Sequence, residues 1–191
     1  MEISEIIESL RKYHPWNEQE AMDRDEIIRQ ISLCQDIFTR DDHNAHMTAS
    51  AWITDRSRTK VLMVYHNLYD SWSWVGGHCD GETDLLGTAL RETREETGVK
   101  TVHPLSEDIF SLEILTVDGH EKRGKYVSSH LHLNVTFLLE ADESEPLIRK
   151  EDENKAVAWF GLDEAVAASN EPWFRERIYP KLNAKLRSFA R

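Results

Sequence analysis

The sequence predicts an α+β fold in which helices are layered on strands. Residues 1–42 place apolar residues at helical spacing, and from His46 onward the chain changes to short β-rich runs. One helix interrupts these runs near the middle of the chain, and further helices close it. At 191 residues the chain has the length of one domain with a short arm. We therefore divide it into an N-terminal helical arm, 1–42, and a main domain, 43–191.

The arm is predicted to contain two helices. Pro15 disfavours helix in the residue before it and separates two apolar stripes. We expect both helices to pack on the main domain, and a lid over a substrate or the arm of a homodimer are the alternatives. The stripes consist of Ile3, Ile6, Ile7 and Leu10, followed by Ile27, Ile31, Cys34 and Phe38.

The main domain is predicted to hold five strands and three helices. A polar turn at 55–59 makes the first two strands a hairpin, whereas 69–74 and the Asp118-Gly119 region are interpreted as irregular. Gly98 ends the first helix, at the position where helices favour a left-handed residue. The strands are His46–Thr54, Lys60–Tyr65, Phe110–Val117, His130–Leu139 and Ala156–Phe160, and the helices are Asp84–Thr97, Leu162–Ala168 and Trp173–Phe189.

Composition argues against several classes of partner. The chain has 35 acidic and 23 basic residues, and its net charge of −12 argues against a nucleic-acid-binding surface. There is no apolar run of membrane-spanning length and no basic, signal-like start, so we expect a cytoplasmic protein without a membrane partner. Basic residues along the last helix are interpreted as a solvated face: Arg175, Arg177, Lys181, Lys185, Arg187 and Arg191.

One segment, residues 76–99, has the residue types of a metal site. On the predicted helix, Glu92, Glu95 and Glu96 fall at i, i+3 and i+4 and share one face. Their mutual repulsion at a helix C-terminus costs ~0.3 kcal/mol per pair. A divalent cation bound between the carboxylates would make the same arrangement favourable. Three carboxylates offer the oxygen ligands that Mg²⁺ or Mn²⁺ accepts. A solvated acidic face is the alternative.

The residues around these glutamates resemble the Nudix box, G-x5-E-x7-R-E-U-x-E-E-x-G-U, where U is aliphatic. The chain is identified as a member of the Nudix hydrolase (MutT-like) family, similar to a bacterial subfamily with an N-terminal helical arm. Thr83 occupies the first glutamate position, with Glu82 beside it, and Thr93 occupies an aliphatic position. The matching positions are Gly77, Arg91, Glu92, Glu95, Glu96, Gly98 and Val99.

The resemblance implies an α/β/α sandwich with a mixed sheet and hydrolysis of a nucleoside diphosphate linked to another moiety. In such enzymes Mg²⁺, or Mn²⁺, neutralises phosphate oxygens and lowers the pKa of the attacking water. Glu96, or an acid of the 143–153 loop, accepts the proton of that water, and within the loop we select Glu153. The implied site comprises Glu92, Glu95, Glu96 and the Gly76 carbonyl as metal ligands, Arg91 as their partner, and Gly76, Gly77 and Trp74 as substrate contacts.

Histidines outside the box suggest a second metal site. His130 and His132 are two apart on a predicted strand and point to the same face. His46 opens a neighbouring strand, and His78 directly follows Gly76 and Gly77, the glycine pair. In isopentenyl-diphosphate isomerases, which share the Nudix fold, the aligned positions include ligands of a metal separate from the box glutamates. An additional transition metal such as Zn²⁺ is therefore a hypothesis, and hydrogen-bonded or solvated histidines are the alternative.

Two other functions are compatible with the same predicted fold. Isomerisation of isopentenyl diphosphate requires a catalytic cysteine followed by Gly-His, but alignment on His78 puts Gly76 at that position and leaves Cys79 on the other side. A non-catalytic nucleotide sensor carries a DNA-binding appendage, for which the roughly 20 residues after Glu171 are too few. The sequence therefore favours the hydrolase.

Overall fold

A mixed β-sheet of eight strands organises the computed structural model, which describes residues 2–34, 36–122 and 124–189. A two-stranded sheet lies outside it and consists of β7 (His120–Lys122) and β8 (Lys125–Val127). The strands of the main sheet are β1 (Ala45–Thr54), β2 (Lys60–His66), β3 (Ser71–Ser73), β4 (Val75–His78), β5 (Val102–Pro104), β6 (Ser111–Val117), β9 (His130–Ala141) and β10 (Asn154–Gly161).

Helices cover both faces of this sheet, as the α/β/α sandwich implied by the resemblance requires. A single π-helical turn, Phe174–Ile178, leads into the last helix. None of the described helices is long and apolar enough to cross a bilayer. The helices are α1 (Ile3–Lys12), α2 (Glu18–Leu33), α3 (Leu85–Thr97), α4 (Leu162–Ala168) and α5 (Tyr179–Ser188).

The centre of the sheet is the parallel pair β1 and β9. The spatial order is β10-β2-β1-β9-β5, and all the other pairings in the sheet are antiparallel, which makes the sheet mixed as expected. The predicted hairpin is present, because Ile53 of β1 pairs with Leu62 of β2. β4 also pairs with β1, on the same side as β2 but at residues 48–51. This pairing brings the glycine pair to the middle of the sheet.

The two faces of β1 have different roles. Met47, Ala49 and Ile53 point into an apolar core that also contains residues of α1, α2 and α3. The arm therefore packs on the main domain, as predicted. Alternate residues point to the opposite face, where Trp52 packs on Tyr179 of α5 with 5.3 Å between ring centroids.

The second helix ends earlier than its apolar stripe predicts. Cys34 is already extended, and Phe38 lies in a turn that is buried in the core. The carbonyl oxygens of Ile37 and Phe38 accept hydrogen bonds from the backbone N–H groups of Met47 and Gly81. These tertiary bonds replace the helical ones, so burial, rather than helical periodicity, explains the apolar residue at position 38.

Short strands account for the other differences from the prediction. The stretch interpreted as irregular contains β3, and Asp118-Gly119 leads into the β7–β8 hairpin. The three-residue β5 was not predicted, and β10 starts at Asn154, two residues before its predicted start. Strands of three residues have too few alternating positions for a sequence pattern to reveal them.

The last helix and the turn before it are only in part the solvated basic face that their composition suggests, where Arg175 and Arg177 are exposed as predicted. Lys181 and Lys185 are buried and form ion pairs of 3.1 and 2.8 Å with Glu20, which is fully buried on α2. Lys181 also pairs with Glu113 at 2.8 Å. In the same helix Arg187 is exposed, and Arg191 lies outside the described residues. Buried ion pairs therefore join the arm to the far end of the chain.

The pKa of Glu20 shows how strongly these ammonium groups act. Burial alone raises it, but Lys181 and Lys185 outweigh burial and bring the pKa of Glu20 from 4.5 down to about 2. Because the folded-state pKa is the lower one, the stabilisation is complete above pH 4.5 and is lost as the pH falls towards 2.

We predict that Lys185→Met lowers the free energy of unfolding by about 3 kcal/mol, because a buried carboxylate loses a partner. Urea denaturation at pH 7 measures the change. The matched control is Arg187→Met, which removes an exposed cation of the same helix and changes stability by no more than about 0.5 kcal/mol. Equal losses in the two variants would contradict a special role for the buried pair.

Candidate active site

Helix α3 places the three glutamates against β4, the strand that contains Gly76 and Gly77 and is called the glycine strand below. Asp84 caps its N-terminus by accepting a hydrogen bond from the Gly87 N–H at 3.0 Å, and Gly98 ends it in the left-handed conformation, with φ 74°. Leu85 and Ala89 anchor one side of the helix in the core. The side carrying the glutamates consequently lies beside β4 and faces a cleft of about 290 Å³.

Two of the glutamates are buried, and their charges destabilise each other. Glu96 accepts hydrogen bonds from the Gly76 N–H at 3.2 Å and from the Asn154 side-chain amide at 2.8 Å. Burial, reinforced by the carboxylates of Glu92 and Glu153, nevertheless raises the pKa of Glu96 to about 8. Burial also raises the pKa of Glu92. Both shifts mean that burial disfavours the charged carboxylates more than their present partners stabilise them.

Arg91 supports this cluster, as its place beside Glu92 predicts. Its guanidinium lies 2.6 Å from the Glu92 carboxylate, 3.6 Å from Glu82 and 3.9 Å from Glu95. Glu82 also accepts a hydrogen bond from the Thr88 hydroxyl at 3.2 Å. Glu82 therefore connects the loop to α3 from the position beside Thr83.

The two glycines are crowded on different sides, because Gly76 lies against the backbone of β1 and Gly77 lies against the side chain of Glu92. Gly76 and Gly77 lie opposite Ser50 and Ala49 of β1. A Cβ at Gly77 would stand 2.5 Å from the carboxylate carbon of Glu92, well inside van der Waals contact. Backbone and carboxylate thus line one narrow space, which fits an oxygen-coordinated divalent cation.

The cleft is acidic overall. All of its cationic side chains within the described residues are already paired: Arg40 with Asp80, Arg91 with Glu92, and Lys150 with Glu153 at 3.0 Å. Lys150 also lies 3.4 Å from Glu95, the exposed member of the glutamate set. A bound polyanion needs further positive charge, since six carboxylates line the space: Asp80, Glu92, Glu95, Glu96, Glu153 and Glu171.

Trp74 lines this cleft but packs as a core residue. Its side chain is 9% exposed, and its ring makes edge contacts with Phe174 and Tyr179. Its backbone N–H donates to the Tyr179 hydroxyl at 3.1 Å. Base stacking by Trp74 therefore stays a prediction. Tyr69, which is 42% exposed and stacks at 4.6 Å on His66, offers a more accessible ring at the same cleft.

The four histidines converge at one end of the cleft. Their ring nitrogens include a set of four atoms, one from each residue, that all lie within 4.8 Å of one another. His78 and His132 line both the cleft and an adjoining space of about 420 Å³. Burial lowers the pKa of His46, and burial together with the neighbouring rings lowers the pKa of His132 to about 2. Both rings are neutral at pH 7.

Polar residues that the motif search missed line the wall between these groups. The Asn134 carbonyl oxygen accepts hydrogen bonds from Thr48 at 3.0 Å and from Ser50 at 2.8 Å, and its amide donates to Glu113 and Thr136. Every hydrogen-bonding position of this buried amide is used. Only the alternation of residues along paired strands could have indicated these residues, because they belong to no local motif.

Cys79 has no place in this site. Its thiol is fully buried in the core, and burial raises its pKa to about 12. A thiol in this environment is a poor nucleophile, which agrees with the sequence argument against an isomerase.

Comparisons with known proteins identify the family to which this chain belongs. Residues 44–182 match the profile of the NUDIX domain. A rat bis(5'-nucleosyl)-tetraphosphatase is 35% identical over 96 residues, which make up 49% of this chain and 58% of the rat enzyme. The corresponding pig enzyme is 35% identical over 107 residues, 55% of this chain and 65% of its own length. The chain thus spans less than two thirds of the curated relatives that it matches.

Solved structures share the fold. A C. elegans Ap4A hydrolase complex superposes with a TM-score of 0.56 at 20% identity, covering 75% of this chain and 98% of its own. A hydrolase of the NUDIX family from Clostridium perfringens gives a TM-score of 0.51 at 20% identity, covering 76% and 98% of the two chains. These proteins therefore share the fold of the three quarters of the chain that they cover.

We predict that Gly77→Ala weakens Mn²⁺ binding by about 10- to 100-fold, because the added Cβ displaces the Glu92 carboxylate. Titration calorimetry of the purified protein measures it, and circular dichroism checks the fold. Gly161→Ala is the control, since its Cβ would meet only the end of Glu164 at 3.1 Å, at the start of α4. Unchanged Mn²⁺ affinity in Gly77→Ala would argue against a cation between strand and helix.

Proposed function

Because the chain belongs to the NUDIX domain family, we propose that it is a divalent-metal-dependent hydrolase of diphosphate linkages. Its substrate is a nucleoside diphosphate linked to another moiety, and this small molecule is the partner that the cleft accepts. The observation that carries the proposal is the buried carboxylate cluster of α3 beside the glycine strand. Two of these carboxylates have raised pKa values and approach backbone that has no side chain.

The residues present fit Mg²⁺ or Mn²⁺. Glu92, Glu95, Glu96 and the Gly76 carbonyl provide hard oxygen ligands, the kind that both ions prefer. When bound, the ion neutralises phosphate oxygens and lowers the pKa of a water molecule. It also supplies the positive charge that the cleft lacks, because Arg40, Arg91 and Lys150 are paired with carboxylates.

The side chains of the cleft orient the carboxylates and accept a proton. Arg91 holds the Glu92 carboxylate, while Asn154 and the Gly76 N–H hold that of Glu96, so both are oriented before a substrate arrives. Glu153 lies at the cleft with its side chain 43% exposed and paired with Lys150 at 3.0 Å, which holds it there as a carboxylate that can accept the proton of the attacking water. We assign it that role. Gly77 allows the phosphate chain to approach the backbone.

Dinucleoside polyphosphates are the substrates to test first. The curated relatives carry the name bis(5'-nucleosyl)-tetraphosphatase, and the cleft continues past His78 and His132 into a second space. Tyr69 lines both spaces and offers a ring for a base; Trp74 is the second candidate. A phosphate-release screen should also include nucleotide sugars, dNTPs, NADH and CoA, each with Mg²⁺ and with Mn²⁺.

We further propose that residues 43–191 form the catalytic domain and that 1–42 support it. The match to the NUDIX profile begins at residue 44, and the arm contributes Ile6, Leu10 and Ile27 to the core beneath β1.

We predict that turnover of the best substrate in this screen requires a divalent cation. The carboxylate cluster leaves the phosphate charge uncompensated without one, so EDTA should abolish turnover, and added Mg²⁺ or Mn²⁺ should restore it. Initial rates before and after chelation provide the measurement. Activity that survives thorough chelation would refute the proposal.

We predict that Glu96→Gln lowers kcat by at least ~10², because it removes an anionic ligand beside the reacting phosphate. Its free energy of unfolding should stay within about 1 kcal/mol of wild type, because burial already raises the pKa of Glu96 to about 8 and an uncharged amide at this position loses no more than one hydrogen bond. Glu107→Gln, an exposed carboxylate outside the cleft, serves as the control. A fully active or unfolded Glu96→Gln protein would contradict the assignment.

A further inference from the structure

We propose that His46, His78, His130 and His132 form a binding site for a transition-metal ion of the Zn²⁺ class. The site is distinct from the glutamate cluster, with which it shares no ligand. The four residues come from three neighbouring strands, β1, β4 and β9, so the frame that holds them is the rigid centre of the sheet. Their candidate ligand atoms all lie within 4.8 Å of one another.

Backbone carbonyls determine which ring nitrogen carries the proton in two of these residues. Nδ1 of His46 lies 3.1 Å from the Asp42 carbonyl oxygen, and Nδ1 of His130 lies 2.8 Å from that of Ser128. A carbonyl oxygen only accepts hydrogen bonds, so each Nδ1 must donate, and in a neutral ring the proton is then absent from Nε2. Both Nε2 atoms present lone pairs, the arrangement found in metal-ligating histidines.

His46 supplies the second independent sign of a ligand. Its Nε2 atom is buried and has no hydrogen-bond partner within the described residues. A buried acceptor without a partner costs roughly 1–3 kcal/mol, and a metal ion would satisfy it. A hydrogen bond between His130 and His132 alone would leave this atom unsatisfied.

The spacing suits one small ion. Nε2 of His130 and Nε2 of His132 are 3.2 Å apart, and two nitrogens on a tetrahedral Zn²⁺ with bonds of 2.0–2.1 Å are about 3.3 Å apart. The ring centroids of His46 lie 4.8–5.1 Å from those of the other three. Small side-chain rotations therefore complete the tetrahedron. Four imidazole nitrogens favour Zn²⁺ and disfavour Mg²⁺, which selects oxygen ligands.

The bound ion would stabilise one wall of the cleft. Asp42 precedes β1 and Ser128 precedes β9, and both are linked through their carbonyls to ligand histidines. His78 and His132 separate the glutamate cleft from the adjoining space. An ion at this position thus fixes the boundary between the two spaces without taking part in the glutamate chemistry.

The test is Zn²⁺ binding by untagged, metal-stripped protein, measured by titration calorimetry and by elemental analysis after dialysis. We expect about one equivalent of Zn²⁺ for wild type. His46→Asn and His132→Asn should each lose at least 100-fold in affinity. His103→Asn should bind normally, because this exposed histidine lies on β5 and interacts with Glu140 at 3.7 Å. Co²⁺ should give the visible absorption of a tetrahedral complex in wild type only.

A Glu92→Gln/Glu96→Gln double variant distinguishes this site from the proposed catalytic site. We expect it to keep the Zn²⁺ equivalent, even if hydrolysis is lost or the proposed substrate class is wrong. Loss of Zn²⁺ in this variant, absence of binding in wild type, or wild-type affinity in His46→Asn would each overturn the proposal. If circular dichroism shows that His132→Asn is unfolded, His130→Asn replaces it, because Nε2 of His130 is the other member of the 3.2 Å pair of candidate ligand atoms.

Discussion

The parallel register between β1 and β9 determines which residues meet in the interior. His46 lies beside His132, Thr48 beside Asn134, Ser50 beside Thr136 and Trp52 beside Leu138. Because side chains alternate along a strand, these pairs share one face. That face changes from imidazole through hydroxyl and amide to apolar along its length. A shift of one residue in either strand would move that strand's members of these pairs to the opposite face, into the apolar core.

A continuous polar network extends from this face to the arm. Asn134 and Thr136 hydrogen bond to Glu113, and Glu113 is joined through Ser111 and Lys181 to Glu20. Removing water from so many charges is unfavourable unless each has a partner. The network meets this condition by combining carboxylates with ammonium and hydroxyl groups. Replacement of a single member therefore costs more than the loss of one contact.

The sequence predicted helix α3 well, because its signals are local. The i, i+3, i+4 spacing of the glutamates, Asp84 and Gly98 all act within a few turns of α3. Burial of Lys185 could not be predicted in the same way. Its partner Glu20 is 165 residues away, and an amphipathic basic helix has the same pattern whether its cations face water or a buried carboxylate.

The histidine cluster could be predicted from the sequence only in part. Alternation along one strand places His130 and His132 on a common face, but their meeting with His46 and His78 depends on the parallel register and on β4, a four-residue strand. The fold keeps the two groups of side chains apart. The carboxylates of Glu92, Glu95 and Glu96 belong to α3, beside β4, and the imidazoles cluster at the end of β4. Because hard oxygen ligands favour Mg²⁺ and nitrogen ligands favour Zn²⁺, the two sites proposed here would select different ions.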